Sequence, residues 1–183
     1  MKLQFLLVAA TLLGGAATIP NYAYAKESKP KVAQYDAKFL DQMTDHHKDA
    51  IKMGELAESR AQNPELKKMA EKMVADQKEE IDQMKTWREQ FFATAPTTRP
   101  EMPKMDVRPL QKKSGRDFDM AFIDMMSKHH EQGINMAKNA SDRLFNTQVK
   151  TFAQNVVMKQ SHERDELQQI KKNEASESGA TQK

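Results

Sequence analysis

The chain of 183 residues contains no cysteine, which excludes a disulfide-stabilised scaffold, a thiolate metal site and a cysteine nucleophile. With only six glycines and seven prolines, collagen-like and low-complexity chains are excluded as well. Neither charge sign dominates, because 29 Lys and Arg stand against 26 Asp and Glu. The resulting net charge of +3 is too small to indicate a nucleic-acid-binding protein. What the chain has in excess is methionine, with 13 residues.

The first residues have the three parts of a secretory signal peptide. Lys2 precedes an apolar run over residues 3–19, no acidic residue appears before Glu27, and Ala-Tyr-Ala at 23–25 is a small-x-small cleavage site. We therefore predict that residues 1–25 are removed and that the product is periplasmic or secreted. The alternative is an uncleaved anchor. No later stretch is apolar for long enough to span a bilayer, so no stable membrane insertion is expected after cleavage.

The remaining sequence predicts helices. Apolar and small residues recur at spacings of three and four, which is the period of an amphipathic helix. Asn63-Pro64 interrupts the first such pattern, and four prolines between positions 96 and 109 exclude a continuous helix there. The predicted boundaries are a flexible segment 26–35, a hairpin 36–92, a Pro-rich linker 93–113, a hairpin 114–172 and a disordered tail 173–183.

An internal repeat relates the two hairpins. They align without a gap at an offset of 129 − 46 = 83 residues. The matched pairs include Asp36 with Asp119, Phe39 with Phe122, Met43 with Met126, Arg60 with Arg143, and Asn63 with Asn146. Two copies of a hairpin with one apolar stripe each bury those stripes best as an all-α four-helix bundle. The alternative is a pair of hairpins that dimerise between chains.

Each repeat carries the pattern Met-x-x-His-His. Because each helical residue advances about 100°, Met43 lies between His46 and His47 in azimuth, within one turn. Met126, His129 and His130 repeat this arrangement. Two further methionines, Met53 and Met136, fall near the azimuth of the first histidine of each pair, two turns along. Nothing in bundle packing alone favours adjacent histidines, so we predict two metal sites inside the bundle.

The donor types indicate copper. A thioether is a soft ligand that suits Cu(I), and imidazole suits both Cu(I) and Cu(II). Neither group needs to lose a proton near neutral pH, so both can serve as ligands in an oxidising compartment. Ag(I) should follow Cu(I) by the same softness argument. Zinc is disfavoured, because it prefers Cys, His and carboxylate ligands.

Counting through the turns places two glutamates level with the histidines. Position 46 is 63 − 46 = 17 residues before Asn63, and 17 residues after it stands Glu80; the same count from His129 through Asn146 gives Glu163. In antiparallel hairpins these carboxylates would orient the imidazoles or ligate the metal. Solvent-exposed glutamates are the alternative. His162 stands next to Glu163 and could supplement the second site, or be an ordinary surface histidine.

Two methionines stand in the Pro-rich linker, where no core is expected. Met102 and Met105 are separated by Pro-Lys. A flexible thioether pair could capture Cu(I) transiently, and we predict it as an uptake site. A hydrophobic clasp on the surface explains the same two residues equally well.

The motifs resemble a family of secreted bacterial proteins with a ferritin-like domain. Its signature, Phe-x-x-x-Met-x-x-His-His-x-x-Ala/Gly-Ile-x-Met-Ala, is matched by FLDQMTDHHKDAIKMG from Phe39 and FIDMMSKHHEQGINMA from Phe122. The resemblance covers residues 36–172. It implies a four-helix bundle that handles copper through Met and His. The usual Ile-Pro before the histidine pair is replaced by Thr-Asp at 44–45 and Ser-Lys at 127–128.

The function favoured by the sequence is a non-enzymatic copper-binding protein that sequesters or delivers copper outside the cytoplasm. A periplasmic copper exporter or sensor would be its partner. The first alternative is a metal-independent periplasmic chaperone or partner-binding module with a Met-rich surface. The second is a di-iron enzyme, which is disfavoured because no Glu-x-x-His motif occurs.

Overall fold

The computed structural model describes residues 30–97 and 104–180. The predicted signal peptide therefore lies outside the described residues. The described chain forms α1 (Pro30–Arg60), α2 (Pro64–Phe92), a short α3 (Arg108–Gln111), α4 (Gly115–Ser141) and α5 (Thr147–Ala180). None of these helices is long and apolar enough to cross a membrane.

The four long helices form two hairpins, as the repeat predicts. α1 packs along α2 and α4 packs along α5, while the two hairpins meet mainly through α1 and α4. The prediction of an all-α four-helix bundle is confirmed. Both hairpins use equivalent residues, related by the repeat offset of 83, so the contact between α1 and α4 is nearly symmetric. The two helices run antiparallel.

Asparagine caps set the two hairpin turns. The Asn63 side chain accepts hydrogen bonds from the amides of Glu65 (2.8 Å) and Leu66 (3.1 Å), and Pro64 occupies the first helical position. In the second hairpin Asn146 accepts from Gln148 (2.9 Å) and Val149 (3.2 Å). Each cap satisfies two of the four amides that the first helical turn leaves free.

Several helix boundaries differ from the predicted ones. α1 begins at Pro30, inside the segment predicted as flexible, because Tyr35 at its start packs on the core and lies under Arg143. α5 continues to Ala180, past the predicted boundary at residue 172. There Glu174 is buried, and its carbonyl accepts from Arg116 at 3.0 Å. In the linker, one helical turn buries Leu110.

Two apolar clusters fill the bundle, one towards each end. The first cluster contains Phe39, Met43 and Met84, and the second contains Met53, Phe118 and Met126. Across its full membership, each cluster combines the start and the end of one repeat with the middle of the other. The paired histidines lie between the clusters along both α1 and α4, so the centre of the bundle is polar.

Reciprocal carboxylates hold the hairpins in register. Asp119 of α4 accepts hydrogen bonds from the amides of Gln62 (3.0 Å) and Asn63 (2.8 Å) in the first hairpin's turn. Its repeat partner, Asp36 of α1, accepts from the amides of Phe145 (3.1 Å) and Asn146 (2.7 Å) in the other turn. Both carboxylates are at most 1% exposed. Each hairpin thus clasps the turn of the other and fixes how far α1 slides along α4.

We expect Asp119→Ala to lower the free energy of unfolding by about 2 kcal/mol or more, because it leaves two amides without an acceptor. Asp36→Ala should do the same, and urea unfolding measures both. Glu131→Ala, which removes an exposed carboxylate of α4, is the matched control. A loss below about 0.5 kcal/mol in Asp119→Ala, the level of ordinary surface changes, would contradict the clasp.

Candidate metal centre

A layer of polar side chains crosses the middle of the bundle. The four paired histidines are at most 4% exposed, and two glutamines and one glutamate are buried with them. A second glutamate lies at the edge, with 21% of its side chain exposed. This polar layer consists of His46, His47, Gln77, Glu80, His129, His130, Gln160 and Glu163. Burying so many polar groups costs free energy unless they are satisfied by partners, so the layer points to a function.

His46 and His129 meet on the axis that relates the repeats. Their rings stack with centroids 3.7 Å apart and an interplanar angle of 24°. Nε2 of His46 donates a hydrogen bond to the carbonyl oxygen of His129 at 3.0 Å. The ring of His129 in turn hydrogen-bonds the backbone of His46. The first histidine of each pair is therefore fixed by the opposite helix.

The second histidine of each pair faces a glutamate of its own hairpin. Nε2 of His47 lies 2.7 Å from Oε2 of Glu80 and forms a hydrogen bond with it. Nε2 of His130 lies 2.9 Å from Oε2 of Glu163, but the contact lacks the alignment of a hydrogen bond. Both glutamates therefore lie beside their histidine pairs, at the positions that counting residues through the turns predicts.

These contacts leave a nitrogen of each ring without a partner. The Nδ1 atoms of His46, His47, His129 and His130 are buried and accept or donate no hydrogen bond. A carbonyl oxygen can only accept, so Nε2 of His46 carries the proton and Nδ1 carries the lone pair in the neutral ring. A histidine that donates one ring N–H to a protein acceptor is oriented to offer the other nitrogen to a metal.

Two buried glutamines complete the layer. The Oε1 atoms of Gln77 and Gln160 have no hydrogen-bond partner. A methyl group added at Gly133 would clash with Oε1 of Gln160 and lie 2.7 Å from Cε1 of His46, so glycine leaves room for both side chains in their present positions. The prediction from the sequence gave these glutamines no role. Their signal was a polar residue at the same apolar-stripe position in both repeats.

Three of the four methionines predicted as ligands within the helices are fully buried next to the layer. Met43 and Met136 belong to the first apolar cluster or pack against it, and Met53 and Met126 belong to the second. Met43, Met53 and Met126 are 0% exposed, whereas Met136 is only partly buried. The two sulfurs on each side of the layer therefore come from different repeats, although each sequence motif contains its own pair.

The structure does not bring the other predicted ligands into the layer. His162 points to solvent, with its side chain 75% exposed and Nε2 3.3 Å from Glu166. Counting residues gave its level along the helix, but not the face on which it lies. Met105 packs against the second apolar cluster, and its amide donates to Asp49 at 2.9 Å. Met102 lies outside the described residues.

Lysine makes the two glutamates unequal. Nζ of Lys159 lies 2.8 Å from Glu80 and 3.0 Å from Asp76, which also pairs with Lys72 at 2.7 Å. Burial would raise the pKa of Glu80, but the hydrogen bonds and charges of His47 and Lys159 lower it below its ordinary value. At the offset of 83, Asp76 is the repeat partner of Lys159, so Glu163 has no equivalent lysine.

The central histidines are held neutral. Burial lowers the pKa of His46 to about 3, with a further contribution from His47. The pKa of His129 is also well below its ordinary value, first because of burial and then because of His46. Both rings therefore present a lone pair at neutral pH. Within residues 30–97 and 104–180, no group of three or more His, Asp or Glu side chains is arranged to hold a metal ion.

We expect the metal-free protein to lose stability as the pH falls from about 7 to 5. The unfolded chain binds protons at histidines near pH 6.5, whereas folded His46 and His129 resist protonation down to much lower pH. Proton uptake then favours unfolding by roughly 1 kcal/mol per pH unit for each ring below pH 6.5. Urea unfolding at several pH values measures this slope.

The test compares the double variant His46→Gln, His129→Gln with the unchanged protein. The matched control is His162→Gln, which changes an exposed histidine. The double variant should show a flatter pH dependence between pH 6.5 and 5 than the unchanged protein. His162→Gln should keep the full slope. If the double variant and the unchanged protein have the same slope, the buried rings do not resist protonation.

Comparisons with known proteins agree with this arrangement. The family described as a domain of unknown function, DUF305, matches residues 36–171. No curated protein matches the chain significantly. Among solved structures, the Cu(II)-bound form of CopM is 33% identical, with a TM-score of 0.68, and the match covers 75% of this chain and 96% of that one. The apo form of CopM is 36% identical, with a TM-score of 0.66 and the same coverage.

A second family member is more distant. A DUF305 protein from Streptomyces coelicolor is 23% identical, with a TM-score of 0.68, over 74% of this chain and 89% of that one. That similarity shows the shared fold. The family match spans both repeats and every residue of the polar layer. The chain therefore belongs to the DUF305 family.

Proposed function

We propose that this protein binds copper, with Cu(I) preferred and Cu(II) accepted, and that it sequesters or delivers the ion outside the cytoplasm. The observation that carries the proposal is the set of four buried Nδ1 atoms without partners, between buried thioethers. In this protein copper is a cargo, and the chain performs no catalysis. Its role is copper resistance or homeostasis.

The chemistry of the donors supports copper. Imidazole nitrogen with thioether sulfur is a soft set, which suits Cu(I) and Ag(I) better than zinc, magnesium or calcium. The similarity to CopM supports the same ions, because CopM has been solved with Cu(II), Cu(I) and Ag bound. His46, His47, His129 and His130 would supply nitrogen, and Met43, Met53, Met126 and Met136 would supply sulfur.

The glutamates fit a supporting role. Glu80 already accepts from His47 and from Lys159, so its carboxylate is engaged and orients the ring. Glu163 has the same position in the second repeat. An ionised carboxylate that holds Nε2–H of a histidine directs the Nδ1 lone pair towards the interior of the layer.

Export fits this cargo. The predicted signal peptide would direct the chain to the periplasm or the medium, where the absence of cysteine leaves imidazole and thioether as the soft donors. The expected partners are copper ions and, at the membrane, a copper exporter or sensor. No nucleic acid is expected among them.

The alternative of a metal-independent chaperone is less well supported. It requires methionines on exposed faces, where an adaptable apolar surface could bind clients. Among the described methionines, Met158 is exposed, with 65% of its surface accessible to solvent. Phe145 at the α4–α5 turn is likewise exposed, at 60%. Most of the other described methionines are buried or partly buried, so the Met-rich surface that this alternative needs is not formed by the described residues.

Anaerobic titration with Cu(I) against a chromogenic chelator tests the proposal. We expect His47→Gln with His130→Gln to weaken competition for Cu(I) by at least tenfold, because the two changes together remove one nitrogen donor from each repeat. His162→Gln is the matched control and should compete like the unchanged protein, since that histidine is exposed. Thermal unfolding of all metal-free samples confirms that the variants are folded.

The outcome that contradicts the proposal is equal competition by the unchanged protein and the double variant. If His162→Gln instead loses affinity, copper is bound at the surface and not in the polar layer.

A further inference from the structure

Lys159 places a positive charge at the edge of the polar layer, on the side where α5 faces α2. Its Nζ lies 2.8 Å from Oε1 of Glu80 and 3.0 Å from Oδ2 of Asp76, and both carboxylates belong to α2. All three side chains are partly buried. α2 and α5 contact each other much less than the two helices of one hairpin do, and this edge of the layer is accordingly accessible to solvent.

Glu80 connects this lysine to a histidine of the layer. Its Oε1 accepts a hydrogen bond from Lys159, while its Oε2 lies 2.7 Å from Nε2 of His47, so the two contacts use different oxygens. Glu163, which faces His130 at 2.9 Å, stands one turn beyond Lys159 on the same face of α5. The ammonium group is therefore one carboxylate away from one histidine pair and one helical turn away from the carboxylate that serves the other.

The internal repeat shows that this charge breaks the symmetry of the layer. At the offset of 83, Lys159 corresponds to Asp76, and Glu163 corresponds to Glu80. The 3.0 Å contact between Lys159 and Asp76 shows that these two equivalent positions meet where the hairpins face each other. An exact repeat would bring two aspartates together there, beside the two glutamates. The chain instead has one ammonium group where symmetry would place a carboxylate.

The charges around the layer sum to −1 when the imidazoles are neutral. Asp49 lies close enough to His46 to act on its charge, and it pairs with Lys52 at 3.1 Å. Within the described part of the chain, we count four carboxylates and three ammonium groups that contact the layer, lie near its rings or pair with such a group, which gives 3 − 4 = −1. They are Asp49, Asp76, Glu80 and Glu163 on one side, and Lys52, Lys72 and Lys159 on the other. One monovalent cation brings this sum to zero, whereas a divalent cation leaves an excess of +1.

A fixed positive charge at this position distinguishes the two oxidation states of copper. The Coulomb energy between an ion and an ammonium group is proportional to the charge of the ion, so Lys159 opposes Cu(II) twice as strongly as Cu(I). Imidazole binds both states, and the two histidine pairs alone leave that choice open. The lysine biases it towards Cu(I).

We propose that Lys159 is a specificity-determining residue, which favours Cu(I) over Cu(II) in the polar layer by setting the net charge around it. The inference rests on the proposed binding of copper and names the residue and the physical cause of the preference. Lys159 ligates no ion and acts through its charge and through Glu80. A neutral residue at this position leaves a net charge of −2, which a divalent ion balances.

Charge variants test this proposal through the reduction potential of the bound copper. In the measurement, Cu(II) in the full-length protein takes up one electron from the electrode and becomes Cu(I). We expect Lys159→Gln to lower the potential by about 59 mV or more, which corresponds to a tenfold change in the ratio of Cu(II) to Cu(I) affinity. Asp76→Asn removes a negative charge instead and should raise the potential.

A double variant separates the effect of charge from that of the ion pair. Lys159→Gln with Asp76→Asn keeps the net charge of the unchanged protein but lacks the ion pair, so its potential should return to that of the unchanged protein. The matched control is Lys172→Gln, which removes an exposed lysine about 20 Å further along α5 and should leave the potential unchanged. Thermal unfolding of the metal-free samples confirms that the variants are folded.

A potential that does not change in Lys159→Gln would overturn the inference. A double variant that keeps the lowered potential of Lys159→Gln would overturn it as well, because lost packing and not charge would then be the cause. Both results are obtained with copper bound, so they leave the proposed function intact. If the unchanged protein retains no copper, the proposed function fails and this inference fails with it.

Discussion

The burial of four imidazoles where α1 crosses α4 is the constraint on which the rest of the structure depends. Stacking of His46 on His129 and the hydrogen bond from His46 to the opposite backbone fix both rings and leave their Nδ1 atoms free. An apolar layer at this position would pack the bundle at lower free energy. The chain instead keeps nitrogens without hydrogen-bond partners in its centre, and this observation supports the proposed binding of a soft cation.

The architecture around this layer maintains its geometry. A slide of one helical turn between α1 and α4 would move the stacked rings of His46 and His129 about 5 Å apart and break the hydrogen bond from His46 to the opposite backbone. The clasps of Asp36 and Asp119 on opposite turns oppose that slide from both ends. Arg143 over Tyr35 and Arg60 over Phe118, whose ring lies 5.4 Å from the guanidinium, repeat the symmetry at the same ends. The repeat therefore serves the site as well as the fold.

Much of this was predictable from the sequence, because the relevant contacts are local or follow from the repeat. The offset of 83 gave the bundle, and counting through Asn63 and Asn146 placed Glu80 and Glu163 level with the histidines. The role of Asp36 and Asp119 was not predictable, since it depends on contacts between hairpins. Counting could not decide between a site role and a surface position for His162, because it gives a level along the helix but not a face, and packing leaves this histidine exposed. The sequence also did not reveal that the two sulfurs on each side of the layer come from different repeats, because this depends on how α1 packs on α4.

The most direct test of the central claim is the protonation of the histidine nitrogens, read by ¹⁵N NMR of the metal-free protein at neutral pH. The account predicts that His46 carries its proton on Nε2 and that its Nδ1 has the chemical shift of an unprotonated nitrogen. Adding one equivalent of Cu(I) should then shift an Nδ1 resonance of the polar layer. An Nδ1-protonated His46, or layer resonances that do not change on addition of Cu(I), would contradict the account.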